Sequence, residues 1–380
     1  MTDDPGAATS AATAAVADRL TALAAQAAAR GVDVILVGPG ADLQYLAGHS
    51  VPSHERLTLL VVPADGAPAM LVPALERPGW NDSPIEVLGT PISTWLDGED
   101  PYDAAVALFP TGTRVIAVDD HLPAVHALGI RDAVPGSDLT VAGAIIGELR
   151  MRKGSEEIAH LARVGAAIDR VQGRIGEWLL AGRTEREVAA DIAAALIEEG
   201  HTRADFVIVA SGPNGASPHH EASDRVIQPG DPVVIDIGGP ESTGYFSDCT
   251  RTYQVAGTAP DGFAEVYEIV RRAQQAAVQV VRPGITAETV DRTARAIIAE
   301  AGYGDRFLTR TGHGIGLEVH EHPYMVEGND RVLEPGMAFS VEPGIYLEGR
   351  FGIRIEDIVV VGEDGPVLMN RADRMLKVVG

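Results

Sequence analysis

Val233-Val234-Ile235-Asp236-Ile237 is an apolar run with one carboxylate set in its middle. Buried strands seldom carry an acid unless something pairs with it. The stretch Tyr245–Tyr253 reads as the returning strand of a hairpin, and it carries Asp248. Between the two lies the turn Pro240-Glu241-Ser242-Thr243-Gly244. A symmetric hairpin folded about position 242 sets Asp236 directly across from Asp248 on one face, with Cβ atoms roughly 5 Å apart. Two carboxylates that close repel strongly, and a bound cation is the simplest remedy.

A second hairpin pattern, Ala338–Tyr346 with Gly352–Val361, repeats the arrangement. Glu342 and Glu356 mirror each other about Gly349, in the turn Glu348-Gly349-Arg350. One facing acid pair can be an exposed face or a salt bridge; two in matching places point to a metal centre. Strand alternation puts Arg354 on the face of Glu356, where it can orient carboxylates or a substrate terminus. The same alternation turns Cys249 and Asp357 away, so Cys249 reads as a small packed residue.

Each hairpin follows a helix of similar sequence. One opens at Gly182-Arg183-Thr184 and ends at Glu199-Gly200; the other opens at Gly284-Ile285-Thr286 and ends at Ala301-Gly302. At that constant offset Val188 meets Val290, Ala194 meets Ala296 and Glu198 meets Glu300. Two helix-then-hairpin halves suggest a duplicated domain with a site at its seam. Upstream, Met151-Arg152-Lys153-Gly154-Ser155 reads as a boundary, with Ser155 as N-cap of an amphipathic helix running to about Leu180. Before it, residues 10–30 form an alanine-rich helix ended at Gly31. Val32–Val37 and Val115–Val118 read as strands, and Leu57–Pro63 with Ala69–Pro73 as a hairpin across Asp65-Gly66. Alternating strands and helices predict a small α/β domain up to about residue 150.

The chain of 380 residues is long for a single core and predicts one small and one large domain. Acids outnumber bases 54 to 30, a formal charge of −24. That surface repels phosphate backbones and anionic headgroups, so neither nucleic acid nor membrane is an expected partner. Cys249 is the only cysteine, which excludes an internal disulfide and suits a reducing compartment. The acidic opening Met1-Thr2-Asp3-Asp4-Pro5 lacks the layout of a signal peptide, and no run of 18 apolar residues occurs. A cytoplasmic protein is expected.

The run Thr311-Gly312-His313-Gly314-Ile315-Gly316-Leu317-Glu318-Val319-His320-Glu321 is dense in functional residue types. Glycines on both sides of His313 allow close backbone approach and leave the ring free to reach a ligand. A phosphate loop is the rival reading of Gly312–Gly316, but no lysine follows it. Pro218-His219-His220-Glu221 sits in a loop by composition, and loops on rigid scaffolds often supply catalytic groups. No His-Glu-x-x-His helix occurs, which speaks against a mononuclear zinc peptidase.

Five ordered motifs now stand together: Ile235-Asp236-Ile237-Gly238-Gly239, Ser247-Asp248-Cys249-Thr250-Arg251-Thr252, the Gly312–Glu321 run, Val341-Glu342-Pro343-Gly344-Ile345-Tyr346 and Arg354-Ile355-Glu356-Asp357. They resemble the prolidase and aminopeptidase P branch of the pita-bread dinuclear metallopeptidases, over essentially the whole chain. The resemblance implies an α+β fold: a creatinase/prolidase-like N-terminal α/β domain over 1–150 and a catalytic pita-bread domain with pseudo-two-fold symmetry over 151–380. It implies two divalent ions, Mn2+ first with Co2+ or Zn2+ as alternatives, on Asp236, Asp248, His313, Glu342 and Glu356. His219 and His320 match histidines that contact substrate or stabilise the intermediate, and Arg354 matches an arginine behind the ligands. Glu342 is also the candidate proton shuttle. Thr309 stands where relatives often have histidine, so a substrate contact from there is in doubt.

The activity implied is hydrolysis of the bond before proline, first as an Xaa-Pro dipeptidase and next as an Xaa-Pro aminopeptidase on longer peptides. A creatinase-like amidinohydrolase or a non-catalytic peptide-binding scaffold would not need the full ligand set. A homodimer is expected from the same resemblance.

Overall fold

The structure is a computed structural model describing residues 5–380, with side chains from Ala12 onward; the acidic opening Met1–Asp4 lies outside the described residues. The chain divides into two compact units, Met1–Arg150 and Met151–Gly380.

The first unit is built on six strands: β1 (Val34–Val37), β2 (Leu59–Pro63), β3 (Ala69–Pro73), β4 (Ile92–Trp95), β5 (Val115–Val118) and β6 (Asp138–Val141). They form one mixed sheet in the order β4-β3-β2-β1-β5-β6. β1 and β2 read as near-continuous apolar runs because every residue in them is buried. The alanine-rich helix starts earlier than the sequence indicates, at Pro5, and ends at Ala29 with Gly31 in the left-handed region (φ 68°).

The second unit carries the remaining strands. One sheet holds β7 (Phe206–Ser211), β8 (Pro232–Pro240) and β9 (Phe246–Val255), joined at its edge by the C-terminal strand β17 (Lys377–Val379). The other holds β10 (Gly312–Gly314), β11 (Glu321–Met325), β12 (Ala338–Val341), β15 (Asp357–Val361) and β16 (Pro366–Leu368). A separate two-stranded ribbon joins β13 (Gly344–Leu347) to β14 (Phe351–Arg354). Each large sheet has its own apolar core. One gathers Ile168, Val171, Val188 and Ile192 against Ile235, Ile237 and Tyr253. The other gathers Val270, Ala273, Val290 and Ala294 against Phe339, Ile353 and Val359. Each fully buried Val or Ile there contributes about 1.5–3 kcal/mol.

The repeat seen in the sequence is a repeat of structure. The helices Glu185–Glu198 and Ala287–Glu300 have equal length. Both are entered through a glycine at φ 90°, Gly182 and Gly284, each donating its N–H to a carbonyl downstream, Ile227 O and Leu333 O, at 2.9 Å. Thr184 bridges Val226 as Thr286 bridges Val332.

Three local expectations need correction. The boundary helix spans Ser155–Arg174, followed by a single turn at Ile175–Glu177, and stops short of Leu180. Its N-cap is Gly154 rather than Ser155: Glu157 reaches back and accepts the Gly154 N–H at 2.9 Å, which moves the helix start by one residue. The second acidic hairpin is broken, with β12 and β15 in one sheet and β13 and β14 in the ribbon. Pro343 lies in the gap and has no N–H to give a ladder.

Candidate metal centre

The register of the first hairpin corrects the predicted pairing. Asp236 faces Thr250, and Asp248 faces Gly238. The ladder closes at Pro240 and Phe246, with Glu241 N–H donating to Tyr245 O at 3.0 Å and Gly244 at φ 87°. The fold axis therefore passes through Thr243, one residue beyond the expected centre. A shift of the axis by one moves the pairing by two, so both acids keep a common face and stand diagonally. Gly238 is required opposite Asp248: a Cβ there would lie 2.3 Å from the Phe206 ring.

In the second hairpin the register is Val341 to Asp357 on one side of the gap and Gly344 to Arg354 on the other. Carried across the gap, it sets Glu342 against Glu356. Freed from a ladder, their backbones bond elsewhere. Glu342 N–H donates to Thr311 O at 2.8 Å and Glu356 N–H to Thr250 O at 3.1 Å. The break thus ties the second hairpin to the histidine segment and to the first hairpin.

His313 sits on β10 between two glycines whose absent side chains are needed. A Cβ on Gly312 would fall 1.8 Å from Ser340 O, and one on Gly314 would fall 2.2 Å from His322 O. Its Nδ1 donates to Gly314 O at 3.1 Å, which aims Nε2 at the acids. Nε2 lies 3.2 Å from Glu342 Oε1 and 3.6 Å from Asp248 Oδ2. Ligand atoms of Asp248, His313 and Glu356 all lie within 4.8 Å of one another. Asp236 and Glu342 are outside that tightest group, yet all five line a single cavity of about 730 Å³. His219, His320 and Arg354 line it too.

Arg354 is buried and organises the acids. Its Nη2 donates to Asp236 Oδ2 at 2.6 Å, its Nη1 to Tyr346 Oη at 2.9 Å and its Nε to Thr250 Oγ1 at 3.2 Å. Thr250 Oγ1 in turn donates to Glu356 Oε2 at 2.7 Å. Burial, then the charges of Glu356, Asp236 and Glu342, push the Asp248 carboxyl well above its ordinary range. Burial, then Glu342 and Asp236, do the same to Glu356. Burial would also raise Glu342, but the hydrogen bond and charge of His313, with Arg354 and Ser340, hold it below its ordinary value.

These features fit divalent metal. Asp236 Oδ1 and Glu356 Oε1 are buried and have no hydrogen-bond partner among the described residues. One guanidinium does not balance four carboxylates. An oxygen-rich donor set with one imidazole suits hard or borderline divalent ions.

The two further histidines differ. The His320 ring lies 4.1 Å from the His313 ring and opens to the cavity. Burial of the rest, then the nearby His313 and Arg310, bring it down to about 4, so it is neutral at pH 7. His219 is exposed on the cavity wall. His220 turns the other way, its Nε2 2.8 Å from the buried Glu185. Thr309 lines the cavity, with its hydroxyl oxygen buried and unpartnered among the described residues. Cys249 is packed in the core of the first sheet, with its thiol on the Glu356 backbone carbonyl at 3.8 Å.

Sequence reasoning gave no part to Thr250, Tyr346 or Glu185. For Thr250 the signal was available, since it alternates onto the face of Asp248, and Tyr346 sits eight residues before its partner Arg354 in the same ribbon; Glu185 depends on contacts distant along the chain.

The Metallopeptidase family M24 model matches residues 159–363, and the Creatinase/Prolidase N-terminal domain model matches residues 19–152. A probable dipeptidase PepE of Mycobacterium tuberculosis is 50% identical over 363 residues, covering 96% of each chain. An Xaa-Pro dipeptidase of Lactobacillus helveticus is 39% identical, covering 91% of this chain and 95% of its own. The crystal structure of dipeptidase PepE from Mycobacterium ulcerans superposes with a TM-score of 0.92 at 50% identity, covering 97% of this chain and 98% of the other. The paired acidic hairpins, the histidine between glycines and these matches together make the chain a member of metallopeptidase family M24, with a creatinase/prolidase N-terminal domain before its catalytic one.

Proposed function

We propose that this chain is an Xaa-Pro dipeptidase, hydrolysing the bond before a C-terminal proline with two divalent ions, manganese first. The observation that carries the reading is the cluster of Asp236, Asp248, His313, Glu342 and Glu356 on one cavity, with Asp248, His313 and Glu356 buried, walled by His219 and His320. The names of its relatives support the same reading.

The five cluster residues would hold the ions. Ions in such a site lower the pKa of water and polarise a carbonyl. Arg354, fixed by Tyr346 and Thr250, keeps Asp236 oriented. Glu342, held as a carboxylate, takes a proton from the attacking water and passes it to the proline nitrogen as the bond breaks. His320, neutral, and His219 line the same cavity and would donate hydrogen bonds to the oxyanion. The amide nitrogen of proline carries no hydrogen, so a wall without an acceptor at that point selects it.

Metal content and hydrolysis of an Xaa-Pro dipeptide and an Xaa-Pro-Yaa tripeptide, measured on one reloaded sample, test the reading. Cleavage of the dipeptide with about two ions per chain is expected. Preference for the tripeptide would make the chain an aminopeptidase, and no cleavage of either would favour a peptide-holding scaffold. Manganese restoring more activity than cobalt or zinc is expected. We also place the protein in the cytoplasm as a homodimer, a state that sedimentation measures directly. Among the described residues no helix is long and apolar enough to cross a membrane.

A further inference from the structure

Glu185 opens the first repeat helix and is completely buried. No Lys or Arg pairs with it among the described residues; its partners are neutral donors and one histidine. Oε1 accepts from Ser211 N–H at 2.7 Å, Ser211 Oγ at 2.6 Å and Asn214 Nδ2 at 3.0 Å. Oε2 accepts from Ser223 N–H at 3.0 Å, Ser223 Oγ at 2.6 Å and His220 Nε2 at 2.8 Å. Six such bonds saturate a carboxylate.

All six donors belong to one stretch, residues 211–223, and they include its two ends. That stretch carries His219 to the cavity wall. His220, next in the chain, is anchored on Glu185, which limits how far the His219 backbone can travel. A helix N-terminus with a buried acid is ordinary; one carboxylate gathering both ends and the middle of a cavity loop is not explained by capping the helix. The helix is already capped by Thr184, whose Oγ1 accepts from Glu187 N–H at 3.2 Å while Glu187 Oε2 accepts the Thr184 N–H at 2.8 Å. Ser211 Oγ also accepts from Arg225 Nη1 at 2.6 Å, which aims its proton at Glu185. The desolvation of Glu185 is therefore balanced by loop order rather than by helix order.

We infer that Glu185, acting through Ser211, Ser223 and His220, is a positioning residue that holds the His219 imidazole against the substrate. The inference rests on the hydrolytic reading of the cavity above. It assigns Glu185 no contact with the substrate or with any cluster residue. Losing the tie frees the loop, and a displacement of about 1 Å at a substrate contact is enough to cost up to 10²-fold.

Glu185→Gln keeps the shape and converts half of the acceptor to a donor facing other donors. The expected result is a fall of about 10- to 100-fold in kcat/KM on an Xaa-Pro dipeptide, with metal content unchanged. Placed in a His219→Ala background, the same change should add less than about threefold, because the group it positions is gone. Penalties that multiply instead would overturn the inference, as would wild-type kcat/KM in the single variant. Should Glu185→Gln not fold, His220→Ala removes one tie from the loop and His220→Gln keeps a donor. The former should lose activity and the latter recover most of it; a fully active His220→Ala would reject the scheme. Amide hydrogen exchange separates this outcome from failure of the dipeptidase reading. Faster exchange across 211–223, with the acidic hairpins unchanged, is expected even if no Xaa-Pro peptide is cleaved; unchanged exchange there removes the tie itself.

Discussion

The two acidic hairpins do the same thing with different backbones. β8 and β9 run as an uninterrupted ladder from Pro232–Gln254 to Pro240–Phe246, and their acids stand diagonally on one face. The second hairpin is cut at Glu342-Pro343 and Ile355-Glu356, and its acids sit in the cut. In the ladder the N–H groups near the acids are held by pairing along the strands. In the cut the N–H groups of Glu342 and Glu356 are free to bond Thr311 O and Thr250 O. The unbroken hairpin is thus a platform, and the broken one is the fastening that draws platform and histidine segment together. A carboxylate cluster this repulsive needs both: a stiff base and a partner that can adjust its reach.

The largest effect should come from the platform. Asp248 has a ligand atom within 4.8 Å of those of both His313 and Glu356. Asp248→Ala should abolish metal loading and hydrolysis at once, read by metal mass spectrometry and peptide assay on one sample. Retained activity would mean the first hairpin is a passive base, and the ligand assignment would fall.

Next comes the cross-tie. Arg354 stands on β14 of the broken hairpin yet bonds Asp236 of the unbroken one. Lysine keeps the charge but not the fork that reaches Asp236, Tyr346 and Thr250 together. Arg354→Lys should weaken metal affinity about 10- to 100-fold, a typical loss when a residue behind a metal ligand is removed. A competition titration with a chelator measures it. Unchanged affinity would show that the two hairpins are held in register by their backbones alone.

How much of this was legible in the sequence follows the same division. Asp236 inside Val233–Ile237 announces itself because an acid among aliphatics needs a partner, and that argument is local. The repeat was legible because its glycines and threonines recur at a fixed offset. The register of the first hairpin was not, because it depends on how Glu241 and Tyr245 close the loop. The break in the second was signalled by Pro343, which removes a ladder donor, but apolar neighbours on both sides masked it. Glu185 was invisible for another reason. A glutamate at a helix start is ordinarily explained by the helix dipole, and its donors lie 26 to 38 positions later.

A smaller effect tests the two halves by pH. Burial alone would raise the Glu185 carboxyl, but the bonds from Ser211, Ser223 and His220 overcome it and bring it down from 4.5 to about 2. The unfolded chain therefore takes up this proton before the folded one does. The stability it contributes is full above about pH 4.5 and drains as the pH falls toward 2. Denaturant midpoints of metal-free wild type and Glu185→Gln should converge over that window and stay separated above it. A gap that is constant down to pH 3 would mean that folding leaves the Glu185 carboxyl at its ordinary value. The second half has no acid at this place: Ala287 occupies it.

The smallest effect separates the repeat helices themselves. Thr184 caps its helix reciprocally with Glu187. Thr286, its counterpart, makes no cap to the backbone; its hydroxyl instead lies 2.8 Å from Thr289 Oγ1. The residue three beyond Thr286 is a threonine, too short to reach back as Glu187 does. Thr184→Ala should therefore cost about 1 kcal/mol of unfolding free energy, whereas Thr286→Ala should cost a few tenths. Neither residue lines the cavity, so kcat/KM should stay put while chemical denaturation resolves the difference. Equal losses would mean that the two helix starts owe their stability to the shared glycine entry, Gly182 and Gly284, and that the side-chain cap in the first half is incidental.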